Sequence, residues 1–498
     1  MSGAALYSSL RCVNCHGIDG RGSSTLGVPT LVGRTADDLR SALIDPCSEG
    51  AICHPMKMPD LTQDQLTNLA AYLLELAGGS AIEDPGPPCT ETSGQICTVA
   101  GTGVAGNKKA PLLMAREAYL FWPQNVTMDR FGRLIITDWN NFLLRRIEKR
   151  GCTESDCPIT TIFGDGTLAD ECSTASQPAM ARNIGNNHNI TVEFDRWGNM
   201  LMAGWHMWKI KYIEVDANLD PQRVFCLFGN VRGFAGDGQP AGWNLDGMDG
   251  PVRFNLPAAA VMDGDGNFYI ADQANVRIRK VPVDADDLFT TDAEAFVRSR
   301  QNNVIDTWIG GPLEEGGYAR RTQPDYSDSG DGGPISEATL AVDIGFDATP
   351  QFRLALDDAR KLLYIADSNN DRIRVVDLAV DPPTIDTFAG GGDDIRADGV
   401  PATEAKLHRP ADVDLVPDGS GDVLITDTFN HCIRLVRFAS RRIETLAGQC
   451  GEEYAGYEGD GGPALQAKLY EPGGAYLSRE HVLYIADTIN HRIRRVNP

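Results

Sequence analysis

From about residue 95 onward, apolar and polar positions follow one recurring order. An apolar pair such as Tyr484-Ile485 leads to Asp487, then to Asn490, then to the alternating run Arg492-Ile493-Arg494. The same order starts at Thr137 (TDWNNFLLRRI), Ala203 (AGWHMWKIKYI), Ala271 (ADQANVRIRKV), Ala366 (ADSNNDRIRVV), Thr426 (TDTFNHCIRLV) and Ala486 (ADTINHRIRRV). Two short strands joined at an Asp-x-x-Asn turn form a hairpin. A further apolar run precedes each hairpin, as in Asn125 to Asp129 and Ala258 to Asp263, and most are introduced by proline. Another follows, as in Asp306 to Ile309, Asp386 to Ala389 and Glu444 to Ala447. Four antiparallel strands repeated six times predict a six-bladed β-propeller.

The spacing between copies varies through loops such as Gly236-Asp237-Gly238, Gly330 to Gly333 and Gly459 to Gly462, which a solenoid of even repeats would not tolerate. No lysine-serine pair or helix start follows these loops, so they are not phosphate cradles. The last copy stops at Pro498 without a fourth strand, and Ile96 to Ala100 (ICTVA) supplies one ahead of the first blade. Its pairing with the last blade would leave no open sheet edge. Asp284 to Asn303 reads as a partly helical excursion on blade three.

Residues 1–80 follow a different pattern. Ala4 to Leu10 and Leu66 to Leu76 are apolar at helical spacing. A stretch rich in Pro and Gly without periodicity, 81–94, reads as a linker. The fold class expected is therefore a small all-α domain (1–80) followed by an all-β propeller (95–498). Between the two helices stands Cys12-Val13-Asn14-Cys15-His16, the spacing of covalent c-type haem attachment, and no second Cys-x-x-Cys follows at zinc spacing.

Net charge is −24, which argues against nucleic acid and anionic membrane surfaces as partners. Of 12 cysteines, two belong to the haem motif. The remaining ten fall into the pairs Cys47 with Cys53, Cys89 with Cys97, Cys152 with Cys157 and Cys432 with Cys450, leaving Cys172 with Cys226. Disulfides together with covalent haem place the chain in the periplasm or outside the cell. The opening MSGAALY has neither the cationic nor the apolar region of a signal peptide, so a leader is expected to have been removed, and no apolar run approaches membrane-spanning length.

With these residues in view, residues 1–80 resemble a class I cytochrome c. The resemblance implies Cys12 and Cys15 as the thioether anchors, His16 as the proximal iron ligand and Met58, just before Pro59, as the distal one; Met56 is the alternative. It implies that the Pro29 carbonyl holds the proximal imidazole, and that Gly3, Tyr7 and Tyr72 form the helix crossing. Residues 95–498 resemble the NHL repeat. A haem c cofactor and a redox partner protein are what these resemblances imply.

Within the propeller, Asp138, Asp272, Asp367, Asp427 and Asp487 recur once per blade, and are expected to cap turns; Arg279, Arg374, Arg434 and Arg494 are expected to pair between neighbouring blades. Asp263-Gly264-Asp265-Gly266-Asn267 has a faint likeness to a calcium loop but lacks the terminal glutamate, so it reads first as a tight strand connection, with calcium as an alternative. Blade two breaks the pattern: Gly204 and Met207 replace Asp and Asn, and His188-Asn189 stands where other blades place proline. Trp122, Arg409 and Glu471 occupy the corresponding places and line the expected channel mouth. The peptide-amidating lyases, which resemble this fold, hold zinc there with several histidines; only His188 occupies such a place, which argues against that site. His188, His206, Trp122, Trp139 and Trp205 either form a pocket or fill a blade interface.

Three functions are therefore weighed. The first is electron transfer, the propeller recognising a partner or a small or polymeric ligand at its channel mouth. The second is a quinoprotein-like dehydrogenase passing electrons to haem, with His188, His206, Arg353 and Arg409 as candidate catalytic or cofactor-binding residues. The third is a redox-sensing scaffold or adhesion protein.

Overall fold

In the computed structural model the chain divides into two compact units, Met1–Asp84 with Val104–Gly106, and Pro85–Gly103 with Asn107–Pro498. The structure describes residues 86–107, 113–150, 157–167, 172, 181, 184–229, 239–240, 252–284, 287–301, 303–310, 330–342 and 350–498. The predicted helices of 1–80 and all haem-motif residues lie outside these.

The second unit is a ring of six antiparallel sheets. Blade one comprises Pro123–Met128, Leu134–Asp138, Leu143–Ile147 and Ile159–Phe163; blade two comprises Asn189–Phe194, Met200–Gly204, Lys209–Val215 and Pro221–Phe228. Blades three, four and five begin at Pro257–Met262, Leu354–Asp357 and Asp412–Leu415. Blade six runs Gly474–Leu477, Leu483–Asp487, Arg492–Val496, and its outer strand is Ile96–Ala100. Ile96 pairs with Val496 and Thr98 with Arg494, so the two ends of the unit share one sheet. The six innermost strands touch in cyclic order, blade six returning to blade one.

Why the strands read as nearly continuous apolar runs is clear from the packing. Each sheet is covered on both faces by its neighbours, so successive side chains feed two different cores. On blade six, Ile485 packs with Leu424 and Leu435 of blade five, while Tyr484 and Ala486 pack with Val126 and Ile136 of blade one. Five such inter-blade clusters hold the described residues together, and burial of this kind contributes roughly 25 cal/mol per Å² of apolar surface. On blade three, the excursion contains a helix, Ala293–Arg300, capped by the Asp292 side chain; Phe296 and Val297 pack into the core shared with blade two.

Three of the expected disulfides are present, Cys89–Cys97, Cys172–Cys226 and Cys432–Cys450. Cys157 is also disulfide-bonded. Cys47, Cys53 and Cys152 lie outside the described residues.

The repeated Asp and Arg behave differently from expectation. The Asp carboxylates cap no turn. Each instead accepts a backbone N–H from the lead-in to its own inner strand: Phe121 to Asp138 at 2.8 Å, Ala341 to Asp367 at 2.7 Å, Tyr470 to Asp487 at 2.8 Å. The other oxygen takes the Asn three residues on, as Asn430 donates to Asp427 at 2.8 Å. Nor do the arginines reach between blades. Arg374 and Arg494 meet the aspartate of their own blade, at 3.3 Å from Asp367 and 3.1 Å from Asp487. The reason is register: Arg494 lies opposite Ile485, so it shares a sheet face with Asp487 and meets it diagonally. The Gly459 to Gly462 loop completes this arrangement on blade six. Asp460 binds Arg494 at 2.5 Å and accepts the Thr98 N–H at 2.9 Å, anchoring the loop to the outer strand.

Candidate functional site

The turn between the second and third strand of every blade is a short 3-10 segment ended by a left-handed residue: Phe142, Trp208, Val276, Asp371, His431 or His491. These turns gather beside the lead-ins to the inner strands, and there the blades are stitched together. In blades four to six the first turn residue carries a hydroxyl that donates to the proline carbonyl of the next blade: Ser368 to Pro410 at 2.7 Å, Thr428 to Pro472 at 3.0 Å, Thr488 to Pro123 at 2.7 Å. The left-handed residue adds a second stitch. Asp371 Oδ1 accepts the Arg409 N–H at 2.7 Å, His431 Nδ1 that of Glu471 at 3.1 Å, and His491 Nδ1 that of Trp122 at 3.3 Å.

Blades one and two place Trp139 and Trp205 where the hydroxyl would be. Their seam is bridged by His188. Its Nε2 lies 2.9 Å from Asn140 Oδ1 and its Nδ1 lies 2.8 Å from His206 Nδ1. A neutral imidazole has one N–H, and the Asn140 oxygen takes it, so Nδ1 of His188 presents a lone pair toward His206. The ring is seated 4.2 Å from Trp139 and 5.0 Å from Phe142, and Trp122 stacks on Trp139 at 5.9 Å. Burial, and secondarily the neighbouring His206, hold His188 well below the usual imidazole range, so it is neutral. The indole N–H groups of Trp122, Trp139 and Trp205 and the Asn189 amide are buried without a hydrogen-bond partner among the described residues. A Cβ at Gly204 would stand 2.4 Å from Met207 Cε, so a larger residue there would require the Met207 side chain to move.

The other two candidates are separate from this pair. Arg353 is fully buried in the axial channel, 3.3 Å from Asp412, and donates across the ring to the Gln124 carbonyl at 2.8 Å. A Cβ on Gly474 would lie 2.5 Å from its Nη1, so that glycine makes room for the guanidinium. Arg409 lies over the Phe429 ring at 4.8 Å and donates to Asn369 at 3.1 Å.

Three carboxylates along the channel, Glu193, Asp412 and Asp414, were not singled out from the sequence. Alternation of Asp412 and Asp414 in an otherwise apolar inner strand is the signal that could have found them. Burial first and Asp412 second push Asp414 up to about 8. Burial and the same two aspartates raise Glu193, although channel water reaches it and screens the repulsion. A cavity of about 330 Å³ opens beside Glu193 and Asp414 between blades two, three, four and five.

The Asp263 loop is a strand connection. Asp263 Oδ1 accepts the N–H groups of Gly266 and Asn267 at 2.8 Å, and Oδ2 accepts Asn267 Nδ2 at 2.7 Å, which occupies the oxygens a calcium ion would need. Among the described residues no group of three or more His, Cys, Asp and Glu could hold a metal ion. Cys12, Cys15, His16, Pro29, Met56 and Met58 lie outside the described residues. As a donor set, two thiols, an imidazole and a thioether fit covalent haem with six-coordinate iron.

Comparison with known proteins agrees with both parts. Residues 1–77 match the cytochrome c family model, so the chain opens on a cytochrome c domain, which implies haem c and electron transfer. "Protein SUPPRESSOR OF QUENCHING 1, chloroplastic" of Arabidopsis thaliana is 33% identical over 153 residues, 29% of this chain and 14% of that protein. "NHL repeat-containing protein 2" of Homo sapiens is 25% identical over 330 residues, 56% of this chain and 44% of that one. The chain thus spans less than half the length of these relatives. Among solved structures, a protein of unknown function from Bacteroides thetaiotaomicron superimposes with a TM-score of 0.50 at 14% identity, covering 80% of this chain and 75% of the other. That likeness concerns the fold alone.

Proposed function

We propose that this protein is a periplasmic or extracellular electron-transfer cytochrome whose propeller recognises the redox partner. The observation that carries this reading is Cys12-x-x-Cys15-His16 inside a segment that matches the cytochrome c model. Haem c bound there supplies a one-electron couple, and ligation by His and Met favours electron transfer over oxygen chemistry. Cys12 and Cys15 would tether the porphyrin, His16 would ligate the iron with its ring oriented by the Pro29 carbonyl, and Met58 would take the opposite side. The disulfides support an oxidising compartment. No helix among the described residues is long and apolar enough to cross a membrane.

The channel favours recognition over a quinone-dependent reaction. Arg353, a candidate cation for such a cofactor, is committed to Asp412 and Gln124. The test is spectroscopic. Matured full-length protein should carry pigment that survives acid-acetone extraction and is lost when Cys12 and Cys15 are both replaced by Ala. Absence of a Soret band would overturn the reading. Haem reduction driven by substrate after addition of pyrroloquinoline quinone and calcium would replace it with the dehydrogenase.

A further inference from the structure

We propose that the axial channel beyond Arg353 is a binding pit for a small organic amine, held as its ammonium by Glu193 and Asp414 with its apolar part between blades two and three. The pit is the cavity of about 330 Å³ beside those carboxylates, a volume within the range of small-molecule sites. Arg353 forms its floor. The guanidinium is fully buried and crosses the channel from Asp412 to the Gln124 carbonyl. Side chains on one face of a strand recur every second residue. Two residues beyond Arg353 and Asp412, the inner strands therefore present Ala355 and Asp414 to the axis, and Glu193 joins them from blade two.

The cavity has two kinds of wall. One side is apolar, where Leu201, Met262, Phe268 and the Tyr212 ring reach in from the core shared by blades two and three. The other side carries carboxylates. Those at the rim are committed: Asp195 accepts the N–H groups of Trp197 and Asn199 at 2.8 and 2.9 Å, Asp263 binds its own turn, and Asp358 accepts Lys361 Nζ at 2.8 Å. Arg196 at the rim donates to the Gly264 carbonyl at 2.8 Å. Glu193 and Asp414 are not so committed. Among the described residues the Glu193 carboxylate has no hydrogen bond or ion pair, and Asp414 accepts only the N–H of adjacent Leu415, at 2.7 Å. Two acidic groups thus face open space while Arg353, the cation below them, is held by Asp412. They form no metal-ligating cluster, and half of the wall is hydrocarbon, so an ammonium with an apolar tail satisfies both sides. The other titratable groups around the pair are Asp412, which with burial pushes Asp414 up to about 8, and Tyr476 of blade six. A bound ammonium favours the ionised carboxylates, so its affinity rises from pH 6 to pH 8, where an alkyl ammonium keeps its proton.

The experiment is calorimetric titration of the matured full chain with 2-phenylethylamine hydrochloride. Parallel titrations use 2-phenylethanol, which keeps the ring without the charge, ethylamine, which keeps the charge without the ring, and calcium chloride. One amine per chain is expected, bound about 10-fold or more tightly than either analogue at pH 8, and more weakly at pH 6. Glu193→Gln and Asp414→Asn should each weaken it about 10-fold or more, whereas Asp386→Asn, at an exposed carboxylate on the outer strand of blade four, should leave it unchanged. The Soret band, followed in the same titrations, separates any coordination of the amine to haem iron from binding in the pit. Circular dichroism establishes that each variant is folded. The pit is refuted if the amine does not bind, if the alcohol binds as tightly, if affinity is equal at pH 6 and pH 8, or if both folded variants bind like wild type. Calcium binding that displaces the amine and is lost in the same variants would replace the organic cation by a metal ion.

Discussion

Two seams of the ring depend on histidine remaining unprotonated, and this makes the propeller acid-sensitive in a calculable way. His431 Nδ1 accepts the Glu471 N–H and His491 Nδ1 accepts the Trp122 N–H. Burial, aided by His408, lowers His431 to about 4; burial, aided by Arg492, lowers His491 to about 3. In the unfolded chain both titrate near 6.5. Below that value the unfolded state binds more protons than the folded one, so stability falls as pH drops. Between neutrality and pH 5 the loss is about 2 kcal/mol for each residue, hence about 4 kcal/mol together if the seams are independent. Blade four shows the remedy: Asp371 makes the same bond from the same left-handed conformation, with no basic group to titrate. Asparagine can do likewise through its Oδ1. His431→Asn with His491→Asn should therefore be less stable than wild type at pH 7, because the ring contacts with Tyr470 and Phe121 are lost. It should lose about 4 kcal/mol less on going to pH 5. Urea unfolding followed by circular dichroism at the two pH values measures the difference. Equal pH slopes in wild type and double variant would show that these two nitrogens do not carry the acid response.

Further outcomes are expected elsewhere. Met58→Ala should abolish the near-infrared sulfur-to-iron absorption band, whereas its persistence would assign the ligand to Met56. Arg353→Met strands the buried Asp412 carboxylate and should cost about 3–5 kcal/mol in urea unfolding; adding Asp412→Asn should recover most of it, and failure to recover would mean that the bond to the Gln124 carbonyl dominates. Replacing Cys432 and Cys450 by Ala, residues 18 apart in sequence, should destabilise the propeller by roughly 3 kcal/mol, read as a lowered Tm under non-reducing conditions.

Much of the fold was legible because it is written in local chemistry. The Asp-x-x-Asn turn, the proline before the inner strand and the runs that are apolar on both faces are each set by residues close in sequence. Ile96 to Ala100 could be recognised because it has the composition of the strand that blade six lacks. Of the disulfides present, Cys89–Cys97 and Cys432–Cys450 were legible from closeness in sequence, and Cys172–Cys226 was reached as the remainder. The direction of the repeated arginines was misread, since a side chain recurring once per blade fits a contact within or between blades equally well. Only the strand register, which puts Arg494 diagonal to Asp487, separates the two.

The site belongs to the other category. Asn140 and His188 are 48 residues apart, and Arg353 and Gln124 are 229 apart. No periodicity links them; closing six sheets into a ring brings blade one against blade two and leaves blade four facing blade one across the channel. Departures in blade two could be seen as departures, but that His206 turns toward His188, and His188 toward Asn140, is visible only once the blades are assembled. Likewise Glu193, Asp412 and Asp414 are unremarkable one by one, and acquire shifted proton affinities only where inner strands of different blades converge on one axis. Sequence thus determined the blades, because hydrogen-bond and burial requirements repeat within each; tertiary structure decided the seams and the channel, because their partners are chosen by ring closure, which no single repeat encodes.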